Sequence, residues 1–533
     1  MNIATPSNSE KDNVSKAAGI VGFFTLLSRI LGLVRDMIVA NFFGAGMAAD
    51  AFYVAFRIPN LLRRLFAEGS LTIAFIPIFT EYLRKKNQKD AFELVRVVLT
   101  VLSLILAVVT ILGILFAPWI VRIQAWGFGG FGVKYELTVV LTRITFPYIF
   151  LVSIVALFMG VLNSLKHFAA PAAAPIFLNV GIIGATLWIS PHLSQPIIGT
   201  AVGILIGGCL QVFLQIPWLL KQGISLFPRW IPNHPAVKRI GLFMLPSVFG
   251  SAVYQFNQFI GTLLASFLVE GSVSWLYYAD RVVQFPLGVF ALAVSTAALP
   301  SLSRQAVEKD LNGFMETINH SLRITFFITI PAMVGLIVLR TPLVQLFFER
   351  GAFDSNAAEM TAYALMFYST GLWAVSGMRI LVSAFYAMQD TKTPVKIAFV
   401  CLIVNILLSI MLMVPMEHAG LALALSLSSF FQLILLVFFL RLRIEQWHPQ
   451  QLMGPVLKYV MASIGMGITV YFLYAWWLHL EIAPGTGGFL AGVMGIVLFG
   501  VIIYFGMARI LGCQEVSSIL SSLRIRLSSL RDV

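Results

Sequence analysis

The sequence predicts an all-α protein that crosses a membrane many times, and three observations support this fold class. Of 533 residues, 59% are hydrophobic and 11% are charged, whereas soluble domains carry about 25% charged residues. The apolar runs are about 20 residues or longer, which suits membrane-spanning helices and exceeds the roughly 10 residues of a barrel strand. Basic residues concentrate in every second loop between these runs, as the positive-inside rule describes.

Fourteen apolar segments predict fourteen transmembrane helices, arranged as two six-helix halves and an additional pair. The first half covers residues 17–220, with helices at 17–43, 48–82, 91–117, 135–164, 170–190 and 195–220. The second half covers residues 236–441, with helices at 236–268, 273–304, 312–340, 357–388, 394–414 and 418–441. The additional pair lies within 455–511, at 455–479 and 486–511. The polar segment 1–16 and the amphipathic segment 512–533 are predicted to be cytoplasmic tails.

The loop charges predict the orientation of these helices. With the N-terminus in the cytoplasm, 22 of the 36 Lys and Arg residues fall in cytoplasmic loops and tails. Four fall in loops on the opposite side: Arg122, Lys134, Arg340 and Arg350. An even number of helices then places both termini in the cytoplasm. The basic run at 84–89 is therefore interpreted as a topology determinant, and the net charge of +13 does not indicate nucleic-acid binding.

An internal repeat supports the division into halves. The sequence AFYVAFR at 51–57 parallels WLYYADR at 275–281, an offset of 224 residues. The loops that end at Pro171 and Pro394 also correspond, at an offset of 223. The repeat predicts two halves in the same orientation, an arrangement that suits alternating access with cargo bound in a central cavity between them.

Charged residues cluster within the apolar sequence between Ser28 and Ser70, which reads SRILGLVRDMIVANFFGAGMAADAFYVAFRIPNLLRRLFAEGS. A charge at the bilayer centre costs at least about 2.5–3.5 kcal/mol, so such residues usually face a wet cavity or a partner. Because arginines outnumber acids here, the cavity is predicted to be cationic and its cargo anionic. The planar guanidinium suits a phosphate or a carboxylate. The cluster comprises Arg29, Arg35, Asp36, Asp50, Arg57, Arg63, Arg64 and Glu68.

Structural roles for these residues compete with the functional interpretation. Arg29 and Arg35 could snorkel from helix ends, Asp36 could pair with Arg35, and Asp50 could cap the helix that follows the turn at 44–46. A cluster that served only as matched ion pairs would contain more acids, which favours the functional interpretation. The second helix is expected to be interrupted near Pro59 and again near Gly69. Four residues are predicted to be hinges: Gly44, Gly46, Pro59 and Gly69.

The second half contains its own charges within apolar sequence, namely Asp280, Arg281 and Arg379. Neighbouring residues on a helix point about 100° apart, so Asp280 and Arg281 are not expected simply to neutralise each other. If the halves face each other, Arg281 lies across the cavity from the first cluster. Asp50 is then expected to orient or release one of the cavity arginines.

The sequence contains none of the motifs that would indicate catalysis. It has no phosphate-binding loop of an ATPase, no serine-hydrolase elbow and no Cys/His metal spacing. The loops are also too short to hold the carboxylate pair of a glycosyltransferase. We therefore predict a transporter without a metal or cofactor, and coupling to the membrane potential or to a monovalent ion stays open.

The charged cluster, together with GSVSWLYYADRVVQFPLGVF at 271–290 and QDTKTPVKIA at 389–398, resembles the MurJ (MviN) family of lipid II flippases. That family belongs to the multidrug/oligosaccharidyl-lipid/polysaccharide exporter superfamily. The resemblance implies export of lipid II, an undecaprenyl-pyrophosphate-linked disaccharide-pentapeptide, across the bacterial inner membrane for peptidoglycan synthesis. Gln284 departs from the family pattern, in which this position is often acidic. Family-critical cavity charges correspond to Arg29, Arg35, Asp50, Arg63 and Arg281.

Two other cargoes remain as alternatives. An exporter of another lipid-linked oligosaccharide, of the O-antigen type, would have a similar layout and similar arginines. A multidrug exporter for cations would be expected to have unpaired acids in its cavity. The expected partners are lipid II and membrane lipids, with no nucleic acid, and contacts with other cell-wall synthesis proteins are left open.

Overall fold

The computed structural model describes residues 8–63, 71–231, 233–479 and 486–517, and its regular elements in those ranges are helices. It divides into two compact units. Unit 1 contains Met1–Ser274 and Gly351–Phe353, and unit 2 contains Trp275–Arg350 and Asp354–Val533. Three predicted site residues, Arg64, Glu68 and Gly69, lie outside the described residues, as do parts of both predicted tails.

The described part of unit 1 contains ten helices and the first residues of an eleventh. They are α1 Asn8–Phe43, α2 Met47–Leu62, α3 Thr72–Lys85, α4 Gln88–Leu115, α5 Ala117–Gln124, α6 Val133–Thr145, α7 Tyr148–Ser164, α8 Ala169–Trp188, α9 Ile197–Lys221, α10 Pro235–Ser266 and α11 Ser272–Pro286. Helix α8 packs on both α9 and α1, and α2 packs on α6. The α8–α9 contact is close because a Cβ on Gly181 would lie 2.5 Å from the Gly207 Cα. Small residues at such a contact let two helix backbones approach within a membrane.

The described part of unit 2 contains the rest of α11 and eight further helices. They are α12 Leu292–Glu308, α13 Leu311–Val338, α14 Arg340–Phe348, α15 Ser355–Thr370, α16 Leu372–Ala387, α17 Lys392–Arg443, α18 Met453–His479 and α19 Thr486–Ile510. Helix α13 packs on α18, α16 and α12, and α18 also packs on α19. Phe327 of α13 lies in the core of this unit, with its ring 5.4 Å from that of Tyr459 and 5.1 Å from that of Tyr504.

The predicted helices agree closely with the observed ones. Each of the fourteen predicted ranges overlaps one helix or two consecutive helices. The predicted break between 394–414 and 418–441 appears inside α17, where Glu417 has a non-helical φ of 50°. Within the described ranges, nine helices are long and apolar enough to cross a membrane, or ten if α15 and α16 form one bent span. The all-α membrane fold is therefore confirmed, whereas the count of fourteen spans and the central cavity stay predictions.

The predicted interruption near Pro59 falls close to the end of α2. Pro59 lies inside α2, which ends three residues later at Leu62. A proline beyond the first turn of a helix removes one backbone hydrogen bond, here the one to the Ala55 carbonyl, and so weakens the last turns of α2. The backbone N–H of Arg63 reaches the carbonyl groups of Asn60 and Pro59.

The internal repeat is visible in the backbone of each unit. Lys166 in unit 1 and Gln389 in unit 2 are 223 residues apart, and both adopt a left-handed φ of 62°. Each lies in a turn of the same kind, because the His167 N–H donates to Leu162 O at 2.8 Å and the Asp390 N–H donates to Phe385 O at 3.0 Å. Non-glycine residues seldom adopt this conformation. The shared geometry supports the repeat that the sequence predicts.

The two compact units do not follow the predicted boundary between halves. Helix α10 packs on α3, α4 and α5 and belongs to unit 1, although the sequence assigns residues 236–268 to the second half. The division into halves depends on the repeat rather than on this grouping of contacts, and it stays a prediction.

Candidate functional site

Asp50 is the most heavily bonded carboxylate of the predicted cluster. It lies in the first turn of α2 and is 1% exposed. Its Oδ2 accepts from Lys134 Nζ and from the Gly271 N–H, both at 2.8 Å. Its Oδ1 accepts from the Ser274 N–H at 2.9 Å and from the Ser274 hydroxyl at 2.7 Å. The carboxylate therefore lies at the N-terminus of α11, where the helix dipole favours a negative charge.

The sequence suggests two other roles for Asp50, as a cap of α2 or as the partner of a cavity arginine, and the observed contacts match neither. The residue before α2 is Gly46, so Asp50 does not cap its own helix. Its cationic partner is Lys134 of α6, not an arginine. Asp50 thus joins three elements of unit 1 that are far apart in the sequence.

Glu270 makes the reciprocal contact. Its Oε1 accepts from the Met47 N–H at 2.7 Å, so a residue two positions before α11 bonds the first N–H of α2. Glu270 and Met47 are 223 residues apart, which is the repeat offset. The starts of α2 and α11 correspond in the repeat. Asp50 of α2 accepts hydrogen bonds from the start of α11, and Glu270, just before α11, accepts one from the start of α2. We call these contacts, made by Asp50, Lys134, Glu270 and Ser274, the reciprocal cap.

Arg35 and Asp36 form a buried ion pair within α1. Nε and Nη2 of Arg35 donate to Asp36 Oδ1 at 3.0 and 2.7 Å, and Nη1 donates to Asn179 Oδ1 at 3.2 Å. The predicted pairing of Asp36 with Arg35 is confirmed. The snorkelling alternative is wrong for Arg35, because α1 continues to Phe43 and Arg35 is 9% exposed.

Arg63 and Arg57 lie on α2 or at its end, and both are half-buried. Nε and Nη2 of Arg63 donate to Asn60 Oδ1 at 3.1 and 2.8 Å. Arg57 donates from Nη1 to the carbonyl of Gln258 on α10 at 2.8 Å. These hydrogen bonds from both arginines therefore go to residues of unit 1.

Arg29 differs from the other arginines of unit 1. It lies in the middle of α1, not at a helix end, and it is exposed. Among the described residues it makes no hydrogen bond or ion pair. An unpaired guanidinium on an apolar helix is costly in a membrane, and the binding role of Arg29 stays a prediction.

The predicted residues of unit 2 lie on two helices. On α11, Arg281 donates from Nη2 to the Tyr277 hydroxyl at 2.7 Å and lies over the Tyr277 ring. Asp280 accepts a hydrogen bond from Gln284 of the same helix. Arg379 is half-buried on α16. Whether these residues and those of unit 1 serve one cargo stays a prediction.

Gly44 forms a tight turn between α1 and α2. Its φ is +61°, and a Cβ there would lie 2.3 Å from the carbonyl oxygen of Ala352. Ala352 in turn donates its N–H to Asn41 O at 2.8 Å. The segment Gly351–Phe353 therefore packs against the end of α1, and only glycine fits at position 44. A hinge role for Gly44 and for Gly46, which precedes α2, stays a prediction.

We expect Gly44→Ala to lower the free energy of unfolding by about 2–4 kcal/mol, because it combines a strained φ with a clash against backbone. Chemical unfolding of the purified protein in detergent would measure this. Gly22→Ala is the matched control, since no atom of the described residues lies within 4 Å of a Cβ at that position. Equal stability of the two variants would contradict the assigned turn.

Sequence reasoning missed the partners that hold the predicted residues. It treats Lys134 as a loop charge, and it singles out neither Glu270 nor Asn179. A signal was present for Asn179, which is an amide within the apolar sequence of α8. The sequence also shows that Glu270 corresponds to Met47 in the repeat, but such a correspondence does not predict a hydrogen bond between the two.

Comparisons with known proteins give a consistent result. The family model described as lipid II flippase MurJ matches residues 39–490. The probable lipid II flippase MurJ of Vibrio cholerae is 38% identical over 509 residues, which cover 94% of this chain and 96% of that protein. The lipid II flippase MurJ of Burkholderia cenocepacia is 39% identical over 511 residues, with 94% and 98% coverage.

Solved structures show the same fold. A lipid II flippase MurJ in an inward closed conformation matches with a TM-score of 0.77 and 28% identity, covering 92% of this chain and 98% of that chain. An inward-facing multidrug resistance transporter of the MATE family matches with a TM-score of 0.68 and 15% identity, covering 80% and 98%. Because only 15% of the residues are identical, the match to the MATE transporter shows a shared fold and nothing about function.

Proposed function

The chain belongs to the lipid II flippase MurJ family, and from this premise we propose that it moves lipid II from the cytoplasmic to the periplasmic leaflet of the bacterial inner membrane. It is a multi-pass membrane protein and a transporter, not an enzyme. The observation that carries the proposal is the agreement with lipid II flippases along nearly the whole chain.

The proposed ligand of the arginines is the pyrophosphate of lipid II. Arg29, Arg35, Arg63 and Arg281 would supply guanidinium donors, which form short, strong hydrogen bonds with phosphate oxygens. One observation within unit 1 supports this role: Arg29 makes no hydrogen bond or ion pair among the described residues. The undecaprenyl chain stays in the bilayer, so only the head group has to cross.

We further propose that the membrane potential drives transport without ATP. A potential that is negative inside favours outward movement of an anion by about 2.3 kcal/mol per charge per 100 mV. The distribution of Lys and Arg among the loops supports cytoplasmic termini. A coupled monovalent ion is the alternative source of energy.

A flipping assay with the purified full-length chain in vesicles tests this function. Labelled lipid II would be placed in one leaflet, and its appearance in the other leaflet would be followed with and without an imposed potassium diffusion potential. We expect the chain to accelerate flipping, and a potential negative on the cytoplasmic side to raise the outward rate further.

An undecaprenyl-pyrophosphate carrying an O-antigen-type glycan serves as the matched cargo control. Faster movement of that lipid than of lipid II would assign the chain to a different lipid-linked oligosaccharide. A rate that does not change with potential, but does change with a sodium or proton gradient, would replace the proposed driving force.

A further inference from the structure

Unit 2 contains a cavity of about 290 Å³ between α13, the start of α18 and the segment that follows α19. Its walls come from Arg323 of α13, from the start of α18 and from residues 512–515 after α19. Arg323 also separates the polar start of α13 from its apolar remainder. The cavity therefore lies at the level where these helices change from polar to apolar sequence, which corresponds to the head-group region of a bilayer.

One side of the cavity is suited to a phosphate group. Lys458 and Arg323 both line it, and Lys458 makes no hydrogen bond or ion pair among the described residues. The Lys458 ammonium group lies beside Gly512, which also lines the cavity.

The other side is suited to a cationic hydrogen-bond donor. Glu515 is buried, and its Oε1 accepts from Arg323 Nε at 2.8 Å. Its Oε2 is also buried, and the hydroxyl of fully buried Tyr459, which lines the cavity too, interacts with both Glu515 and Arg323. A buried carboxylate is stabilised by each further charged donor, so this side of the cavity favours a cationic ligand.

An exposed apolar stripe leads away from the cavity along α18. Met453, Leu457 and Met461 are 69%, 60% and 52% exposed, and Ile464 and Ile468 continue the same face. Their spacing of three or four residues places them on one side of the helix. Such a stripe beside a polar cavity matches the shape of a phospholipid, with its head group in the cavity and an acyl chain along the helix.

We propose that this cavity binds the head group of phosphatidylethanolamine. The phosphate would contact Lys458 and Arg323, and the primary ammonium group would donate to Glu515 Oε2. A choline head group cannot make that donation because its nitrogen carries no hydrogen. A glycerol head group lacks the positive charge that Glu515 favours.

Native mass spectrometry of the full-length chain tests the proposal, with dioleoyl lipids bearing ethanolamine, choline or glycerol head groups offered in equal amounts. We expect the ethanolamine lipid to bind about tenfold more tightly than the choline lipid, the ratio that one charge-assisted hydrogen bond supplies. Glu515→Gln should remove this preference while keeping the acceptor for Arg323. Lys458→Ala should weaken all three lipids similarly, because each contains the phosphate.

Glu445→Gln is the matched control, since Glu445 is exposed and has no partner among the described residues. Equal binding of the ethanolamine and choline lipids, or preference for the glycerol lipid, would overturn the proposal. Unchanged binding in Lys458→Ala would overturn it as well. Soluble glycerophosphoethanolamine should not displace the lipid at millimolar concentration. Full displacement would instead identify a site for water-soluble phosphate esters. None of these outcomes depends on flipping activity.

Discussion

Arg29→Ala is expected to reduce lipid II flipping by at least about tenfold, because hydrogen bonds to a charged group contribute about 1.5–3 kcal/mol each. Arg29 has no partner among the described residues, so its removal leaves no carboxylate unpaired. The variant should therefore insert and fold like the wild type. The vesicle flipping assay measures the rate, and chemical unfolding measures the stability.

Two further variants make the Arg29 test specific. Arg29→Lys keeps the charge but loses the planar fork, and should recover only part of the rate. Arg84→Ala removes an exposed arginine near the end of α3 and should leave flipping unchanged. We expect Arg281→Ala to abolish flipping as Arg29→Ala does. Normal transport in both alanine variants would rule out binding of the pyrophosphate by these two arginines.

Asp50→Asn is expected to cause the largest loss of stability, about 3–5 kcal/mol in the free energy of unfolding. The change leaves the partly buried Lys134 ammonium without its counter-charge and weakens the bonds from Gly271 and Ser274. Chemical unfolding in detergent gives the measurement. Flipping should fall as well, since the start of α11 loses its carboxylate.

A double variant separates the ion pair from the other bonds of Asp50. Asp50→Asn combined with Lys134→Met should recover part of the stability, because no unpaired buried charge remains. Glu270→Gln is the matched control, since Glu270 is exposed and makes the single bond to Met47. It should cost about 1 kcal/mol. If Asp50→Asn costs no more than Glu270→Gln, the carboxylate does not hold the starts of α2 and α11 together.

Helices were predictable from the sequence because each requires a local run of apolar residues, and the bilayer sets the length of that run. Charged residues are rare within those runs, so Arg29, Arg35 and Asp50 stand out as unusual from the sequence alone. The end of α2 close to Pro59 was also predictable, because a proline beyond the first turn of a helix removes a backbone hydrogen bond.

The partners of the charged residues could not be predicted, because they depend on tertiary packing. Lys134 lies 84 residues from Asp50 in the sequence, and Asn179 lies 144 residues from Arg35. Asp50 was a candidate cap for α2 because it follows a glycine turn. Its carboxylate instead accepts hydrogen bonds from Ser274, near the start of the helix that begins at Ser272. Local patterns identify which residues are unusual, whereas packing decides what they contact.

The reciprocal cap has a consequence for biogenesis. Asp50 emerges from the ribosome 224 residues before Ser274, its most distant partner. At synthesis rates of 5–20 residues per second, this interval lasts roughly 10–45 s. During that time α2 is already available for insertion, while the Asp50 carboxylate lacks the N–H groups of Gly271 and Ser274 that later donate to it. Translocon or chaperone contacts that shelter this segment would thus act before the first compact unit is complete.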